Sequence, residues 1–463
     1  MKNYDIIVIG AGSAGLNVAV FMNQIGLQVL LVEKNKIGGD CLNYGCIPSK
    51  ALLSIAKTIA SGKNSSHFGL KIEGKTDLKK IAKTIKERQN IIKKHENPKF
   101  LQEMGIDVQI GEAKFSGTEQ IKVEKNNFSA KKFVIATGSR PNIPSIKGIE
   151  NINYFTNENI FENTSLPKNL LVIGDGPIGI EMAQSYQRLG SQVTVVGRNK
   201  TILSKEDDEV SKLMQKILEK EGVKFILNSE PIEFKNKNSL IYQNHKKEKN
   251  EIKFNQVLIA TGRKTNLDLN LKKAGVAYNQ KKIITDKHLR TTNPNIYACG
   301  DVNGNFMFTH WAETEAALVI KNILSPFKKS LDKSQINWVT YTDPEIATFG
   351  IKPKNSTYKT IKIDLKDVDR AIATGINKGF LKLYIQKNKI IAGTMIAENA
   401  GEIVSELILA KTIKLPFKKM FDKVYAYPTM NRSNKKAVME YIKQKLSPKT
   451  IKFLNLIFKI FNR

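Results

Sequence analysis

At 463 residues the chain is long enough for about three domains, and its 41% hydrophobic and 25% charged residues are those of a globular protein with no run of about 18 apolar residues to span a membrane. The net charge of +31 would suit nucleic acid, but 65 of the 74 basic side chains are lysines scattered along the chain, without a basic tract interleaved with aromatics, so no nucleic-acid partner is expected. Three cysteines, Cys41, Cys46 and Cys299, are too few for an extracellular disulfide framework; in a reducing compartment the close pair points to catalysis, redox sensing or a metal.

In chain order, an apolar run from Tyr4 feeds a loop with Gly10, Gly12 and Gly15, then a helix, then a second apolar run ending on Glu33. Asp5 ahead of that first run leaves neither a signal-peptide n-region nor a cleavage site, and a cytoplasmic protein is expected. The same order returns from Asn169 to Gly197, with Gly174, Gly176 and Gly179 in the loop, all at one constant offset. Each loop follows a strand and opens a helix, so backbone N–H groups and the helix dipole can receive a pyrophosphate. One such glycine pattern is weak; two in register are strong.

Two later strands end in Ala136-Thr137-Gly138 and Ala260-Thr261-Gly262, the second followed by Arg263 and Asn266. A further run, Ile296 to Cys299, closes on Gly300-Asp301 ahead of a helix expected near Thr309; Asp301 suits either a cofactor polyol or a simple turn. From about Ile336 the pattern changes to strand-like runs, Gly379 to Ile385 and Ile390 to Ile396, then a helical stretch from Gly401 to Lys411. The fold expected is α/β, with two Rossmann-like dinucleotide-binding domains and a C-terminal α+β domain that could form an oligomer interface. The tail from Thr450 to Arg463 reads as an amphipathic helix, with Lys452, Asn455, Lys459 and Asn462 opposite Ile451, Leu454, Ile457, Phe458 and Phe461. It suits an anionic membrane surface or packing on a partner subunit.

The segment Gly38-Gly39-Asp40-Cys41-Leu42-Asn43-Tyr44-Gly45-Cys46-Ile47-Pro48-Ser49-Lys50 carries the chemistry. In an unbroken helix residues five apart have Cα atoms about 9 Å apart, beyond the roughly 7 Å that a disulfide spans. The backbone must therefore bend, which Gly45 permits, and Pro48 fits the first turn of a helix continuing through Lys57. That N-terminus, together with Lys50, should favour a thiolate. No second C-x-x-C and no histidine cluster could complete a four-ligand metal site, since His67, His95, His245, His288 and His310 stand apart. Cys299, alone at a strand end, reads as a core residue.

GGDCLNYGCIPSK, with GAGSAG before it, GDGPIGIE, ATGSRP, ATGRKTN and ACGD after it, resembles the class I pyridine-nucleotide disulfide oxidoreductases, a group that includes mercuric reductase and dihydrolipoyl dehydrogenase. TDPEIATFG (Thr342 to Gly350) and DVDRA (Asp367 to Ala371) resemble that family's dimerisation domain, implying a homodimer. The resemblance implies FAD on Gly10, Gly12, Gly15, Glu33 and Asp301, with Thr137 and Gly138, in residues 1–150 and 266–330. It implies NAD(P)H on Gly174, Gly176, Gly179 and Gly262 in residues 151–265, and a dimerisation domain over 331–463. Lys50 would stand beside the flavin with Glu181 as its salt-bridge partner. Electrons would pass from nucleotide through flavin to a Cys41–Cys46 disulfide; Cys46 would remain as the flavin-facing thiolate and Cys41 would attack the substrate.

Two departures shape the expected function. Disulfide-reducing members carry H-P-T-x-x-E near the C-terminus as acid–base pair; here Tyr427 and Arg432 hold those positions, and no histidine follows His310. Mercuric reductases resemble the chain at Tyr427, but also carry a C-terminal cysteine pair, and no cysteine follows Cys299. The expected acceptor is a metal ion, a quinone or a small disulfide, with dihydrolipoyl dehydrogenase the alternative enzyme and a basic flavoprotein binding module the non-enzymatic one. NADPH is expected over NADH, because Gly197 replaces the carboxylate that Glu33 supplies in the first repeat, and Arg198 and Lys200 follow it, with Lys205 nearby.

Overall fold

The computed structural model describes residues 2–353, 357–376 and 378–462, and the chain falls into two compact units. The first comprises Met1–Ser204 and Met214–Asp332; the second comprises Lys205–Leu213 and Lys333–Arg463.

The first unit is built on two parallel sheets. In one, strands Asp107–Ile110, Val29–Glu33, Lys2–Ile9 and Asn126–Ile135 lie side by side in parallel, and the antiparallel strands Gln120–Val123 and Ala113–Gly117 extend it. Ile296–Ala298 returns much later in the chain to pair with Asn126–Ile135, so this domain is closed by residues far apart in sequence. Ile6, Ile7, Val8 and Ile9 are all buried, as strands covered on both faces require. The other sheet orders Lys224–Ile226, Gln192–Val196, Asn169–Ile173 and Gln256–Ile259, all parallel. Ser139–Pro141 pairs antiparallel with Arg263–Thr265, joining the segments that leave the two sheets.

The second unit holds a five-stranded antiparallel sheet, in the order Asn337–Thr340, Glu345–Gly350, Lys389–Ala397, Phe380–Gln386 and Lys359–Asp364. Phe349, Leu381 and Leu383 pack with Leu407, Phe417 and Tyr441 in one core. The short segment from the middle of the chain is tied into this unit by its carboxylates. Glu206 accepts from Trp338 Nε1 and, at 2.6 Å, from Thr348 Oγ1. Asp207 and Glu209 hold Lys382 Nζ at 3.0 and 2.9 Å, and Tyr384 donates to Asp207 at 2.7 Å.

Several strands shift by one or two residues from their expected bounds, the first starting at Lys2, and the helices differ as follows. The helical stretch expected over Gly401 to Lys411 is two helices, Ala400–Ile403 and Ser405–Thr412, because at Val404 the pattern tightens and Leu407 N–H turns to the Val404 carbonyl. The helix at the second cysteine runs from Cys46 to Asn64, past Lys57. The C-terminal helix starts earlier than Thr450, at Pro448, since Ser447 caps it with a 3.1 Å bond from Thr450 N–H. It runs to Phe461, and Arg463, the last residue of the expected tail, lies outside the described residues. Among the described residues no helix is long and apolar enough to cross a membrane.

Candidate active site

The two glycine loops obey the same steric constraints. Gly10 (φ +105°) and Gly174 (φ +129°) lie so close to the strand ends that a Cβ would strike Ala136 O at 2.3 Å and Ala260 O at 2.2 Å. Gly15 and Gly179, in the first turns of helices Ser13–Gln24 and Pro177–Leu189, would strike the carbonyls of Gly10 and Gly174. The middle glycines face open space instead: nothing lies within 4 Å of a Cβ on Gly176, and only Gly39 Cα, at 3.9 Å, on Gly12. Neither helix has a side-chain cap or an acidic residue in its first turn, so its N–H groups stay available to a diphosphate. Gly138 and Gly262 likewise have nothing within 4 Å of a Cβ. Thr137 O and Gly138 O accept from the side chain and backbone of Asn266 at 2.8 and 3.0 Å. These open cradles fit two dinucleotides.

The strand ends differ in one respect. In the first repeat Glu33 accepts from Ala11 N–H and Asn35 N–H, each at 2.8 Å. In the second, Asp175 stands where the first has Ala11, and Asn199 where it has Asn35. Asp175 accepts from Asn199 N–H at 3.0 Å and Asn199 Nδ2 at 2.8 Å. A Cβ on Gly197 would come within 2.3 Å of Asp175 Oδ2. The carboxylate missing from the strand end is thus supplied by the glycine loop, from beneath Gly197, while Arg198 and Lys200 are exposed beside it.

Cys41 lies in the short helix Gly39–Asn43, and Cys46 opens helix Cys46–Asn64. The expected break falls between them: Tyr44 N–H closes the first helix onto Asp40 O at 2.8 Å, and a Cβ on Gly45 would press on Asp40 O at 3.0 Å. Both cysteines are free thiols joined by a side-chain hydrogen bond. Cys46 is lowered to about 6 by its hydrogen bond from Cys41, by Thr309 and by the Lys50 charge, against the opposing effect of burial and Asp40. Cys41 moves the other way because its proton is held by Cys46 and its surroundings are buried. Thr309 Oγ1 sits 3.2 Å from Cys46 Sγ at the first position of helix Thr309–Leu324. Two helix N-termini therefore meet at one sulfur. Cys299 is fully buried, its thiol pushed up by burial and by Glu315.

Lys50 Nζ meets Glu181 Oε2 at 3.0 Å, joining the cysteine helix to the helix that opens on the second glycine loop. Arg263, only 12% exposed at its side chain, links more distant parts: it reaches Asp40 at 3.1 Å, the Ser139 hydroxyl at 2.7 Å, and Asp301 at 3.8 Å. Ser139 in turn donates to Asp301. In the sequence Arg263 stands out without a role, Thr309 only as a helix start, and Asp175 not at all. The signal for Asp175 was present, as GDG against GAG when the repeats are aligned. Tyr427 belongs to the second unit; it is 67% exposed and lies under the Arg432 guanidinium at 5.0 Å from its ring centroid.

Two dinucleotide cradles flanking a hydrogen-bonded dithiol define a flavoprotein that moves electrons between a nucleotide and sulfur. The pyridine nucleotide-disulphide oxidoreductase model matches residues 4–316 and the dimerisation-domain model of the same family matches 336–438; the chain belongs to this family and is an FAD-dependent enzyme that uses a pyridine nucleotide. It is 32% identical over 455 residues to a mercuric reductase of Staphylococcus aureus, covering 95% of this chain and 83% of that one. It is also 32% identical to a dihydrolipoyl dehydrogenase of Thermus scotoductus, covering 96% and 98%. The Cu(II) complex of a cysteine-to-serine mutant of RclA, an HOCl-induced flavoprotein disulfide reductase from Escherichia coli, superimposes with a TM-score of 0.84 at 25% identity over 94% of this chain and 99% of that one. The non-enzymatic reading falls with these matches.

Proposed function

We propose that the enzyme takes electrons from NADPH, stores them as the Cys41–Cys46 dithiol, and delivers them to a soft metal ion held by the two sulfurs. Bound FAD supplies the hydride-accepting step and the onward reduction of the disulfide. In this reading residues 1–150 with 266–330 hold FAD and 151–265 hold the nucleotide. Glu33 and Asp301 receive the ribose and polyol hydroxyls, Lys50 braced by Glu181 stands at the flavin, and Cys46 keeps the thiolate while Cys41 attacks. One NADPH and one proton reduce one disulfide to two thiols, and re-formation of the disulfide returns two electrons to the acceptor and two protons to acceptor or solvent. The enzyme works as a homodimer, which the dimerisation-domain match supports, and a reducing setting would keep its dithiol cycling.

The observation that carries the acceptor class is the pairing of a ready thiolate at Cys46 with a tyrosine, Tyr427, where thiol–disulfide exchange uses an imidazole. A thiolate binds a soft metal directly, and the bound metal acidifies the second thiol enough for the Cys41 proton to leave to solvent without a dedicated base. In this reading the ion is the substrate and its ligands are the two sulfurs of the dithiol. The test is turnover of purified enzyme with NADPH against Hg(II), Cu(II), quinones, glutathione disulfide and lipoamide. Fastest turnover with lipoamide or another disulfide overturns the metal reading, and fastest turnover with a quinone moves the acceptor to that class.

NADPH is favoured by the exposed Arg198 and Lys200 beside a side-chain-free Gly197. NADH is favoured by one observation, the Asp175 carboxylate filling the place below Gly197. The ratio of kcat/KM for the two nucleotides decides, and equal or better values with NADH overturn the NADPH reading.

A further inference from the structure

Helix Pro448–Phe461 stands apart from the rest of its unit in kind. The dimerisation match ends at residue 438, and helix Arg432–Lys443 is the last element to put side chains into the core, through Ala437, Val438 and Tyr441. The helix that follows has no buried residue. Phe453 is 60%, Phe458 66% and Phe461 80% exposed. At a 100° turn per residue, Ile451, Phe453, Leu454, Ile457, Phe458 and Phe461 fall on one half of the cylinder. Lys449, Lys452, Asn455 and Lys459 fall on the other, with Leu456 among them and Ile460 at the boundary. No acidic side chain follows Glu440.

We propose that this helix docks the enzyme on an anionic lipid bilayer, lying in the plane of the interface with its aromatic half among the acyl chains and its lysines among the headgroups. Fourteen residues make a rod about 21 Å long, short of the roughly 30 Å hydrocarbon core, so the helix lies on the membrane and does not cross it. Charge selects the occupant. The family's own dimerisation match stops before the helix begins, and the helix lysines have no acidic side chain after Glu440 to pair with. An anionic surface attracts both the lysines and the chain that carries them.

The experiment is flotation of the full-length, FAD-loaded protein with vesicles of phosphatidylcholine alone and with vesicles containing an equal share of phosphatidylglycerol. Full-length protein is expected to float with the anionic vesicles and remain below with the neutral ones. A chain ending at Ser447, and the Phe458→Glu, Phe461→Glu variant, should lose about tenfold or more of the bound fraction while keeping the same flavin absorbance. Lys452→Gln with Lys459→Gln should weaken binding and reduce its sensitivity to salt. Equal flotation of full-length and shortened chains overturns the proposal, as does equal binding to neutral vesicles or no binding at all. A fall from dimer to monomer mass on shortening, read by light scattering, overturns it in favour of packing on the second copy.

Discussion

Cys46 owes its charge to a few neighbours whose removal has a direction. Its hydrogen bond from Thr309 is one to an ionised group, a kind worth about 1.5–3 kcal/mol. In the two-electron-reduced enzyme, alkylation of Cys46 should rise with pH through a midpoint near 6, because the thiolate forms above that value. Thr309→Val should move the midpoint up by about one pH unit or more, and an unmoved midpoint would leave Thr309 with packing alone. A thiolate beside oxidised flavin is expected to give a long-wavelength charge-transfer band in the two-electron-reduced enzyme, and Cys46→Ser should abolish it. At the other end of the electron path, Asp175 leaves no room for a side chain at Gly197. Gly197→Glu should cost about 1–3 kcal/mol through overpacking, read as a fall in Tm. Asp175→Ala combined with Gly197→Glu rebuilds the Ala11 and Glu33 arrangement and should recover most of that loss. It should also shift preference toward NADH, a non-additive result that a double-mutant cycle reads directly. The glycines were legible because steric exclusion leaves a periodic mark in the sequence. Asp175 was overlooked because a carboxylate had been sought at one position, whereas hydrogen bonding needs only an oxygen in the right place.

Among the elements, the break between Gly39–Asn43 and Cys46–Asn64 was legible, since two cysteines five apart cannot be bridged from one helix. What steadies the broken helices was not, because Arg263 reaches Asp40 across more than two hundred residues of sequence. Arg263 also braces the Ser139–Pro141 and Arg263–Thr265 pair against Asp301. Removing one partner from a buried charge network typically costs about 3–5 kcal/mol. Arg263→Gln should therefore lower Tm and speed amide hydrogen exchange in Gly39–Asn43 more than in the sheet strand Lys2–Ile9. Equal exchange in both segments would show that Arg263 stabilises the fold at large and not the cysteine loop. The split at Val404 escaped sequence reading because its apolar spacing suits one helix as well as two.

For the molecule as a whole, the family was legible and the electron acceptor was not, since repeated motifs mark the glycine loops and the cysteine pair while an acceptor pocket has no motif of its own. Tyr427 and Arg432 give the one handle. A well-placed general base contributes about 10²- to 10⁴-fold, so dihydrolipoamide oxidation should be slower by that order than in enzymes with the imidazole. Tyr427→His should raise it, and turnover by the wild type at ordinary dehydrogenase rates would instead favour the dihydrolipoyl reading. The division into units was also hidden, for nothing in Lys205–Leu213 announces that its carboxylates serve strands more than a hundred residues further on.

That displaced segment sets a rule for anyone dividing the gene. A fragment opening at Lys333, just ahead of the dimerisation match that begins at 336, would encode the five-stranded sheet but not Glu206, Asp207 or Glu209. Lys382, with its side chain only 16% exposed, would then carry its charge with neither carboxylate beside it, and Trp338 would lose its acceptor. Ribosomal synthesis meets the same constraint in time: the segment emerges early and must wait, unpaired, until the sheet it serves has been translated.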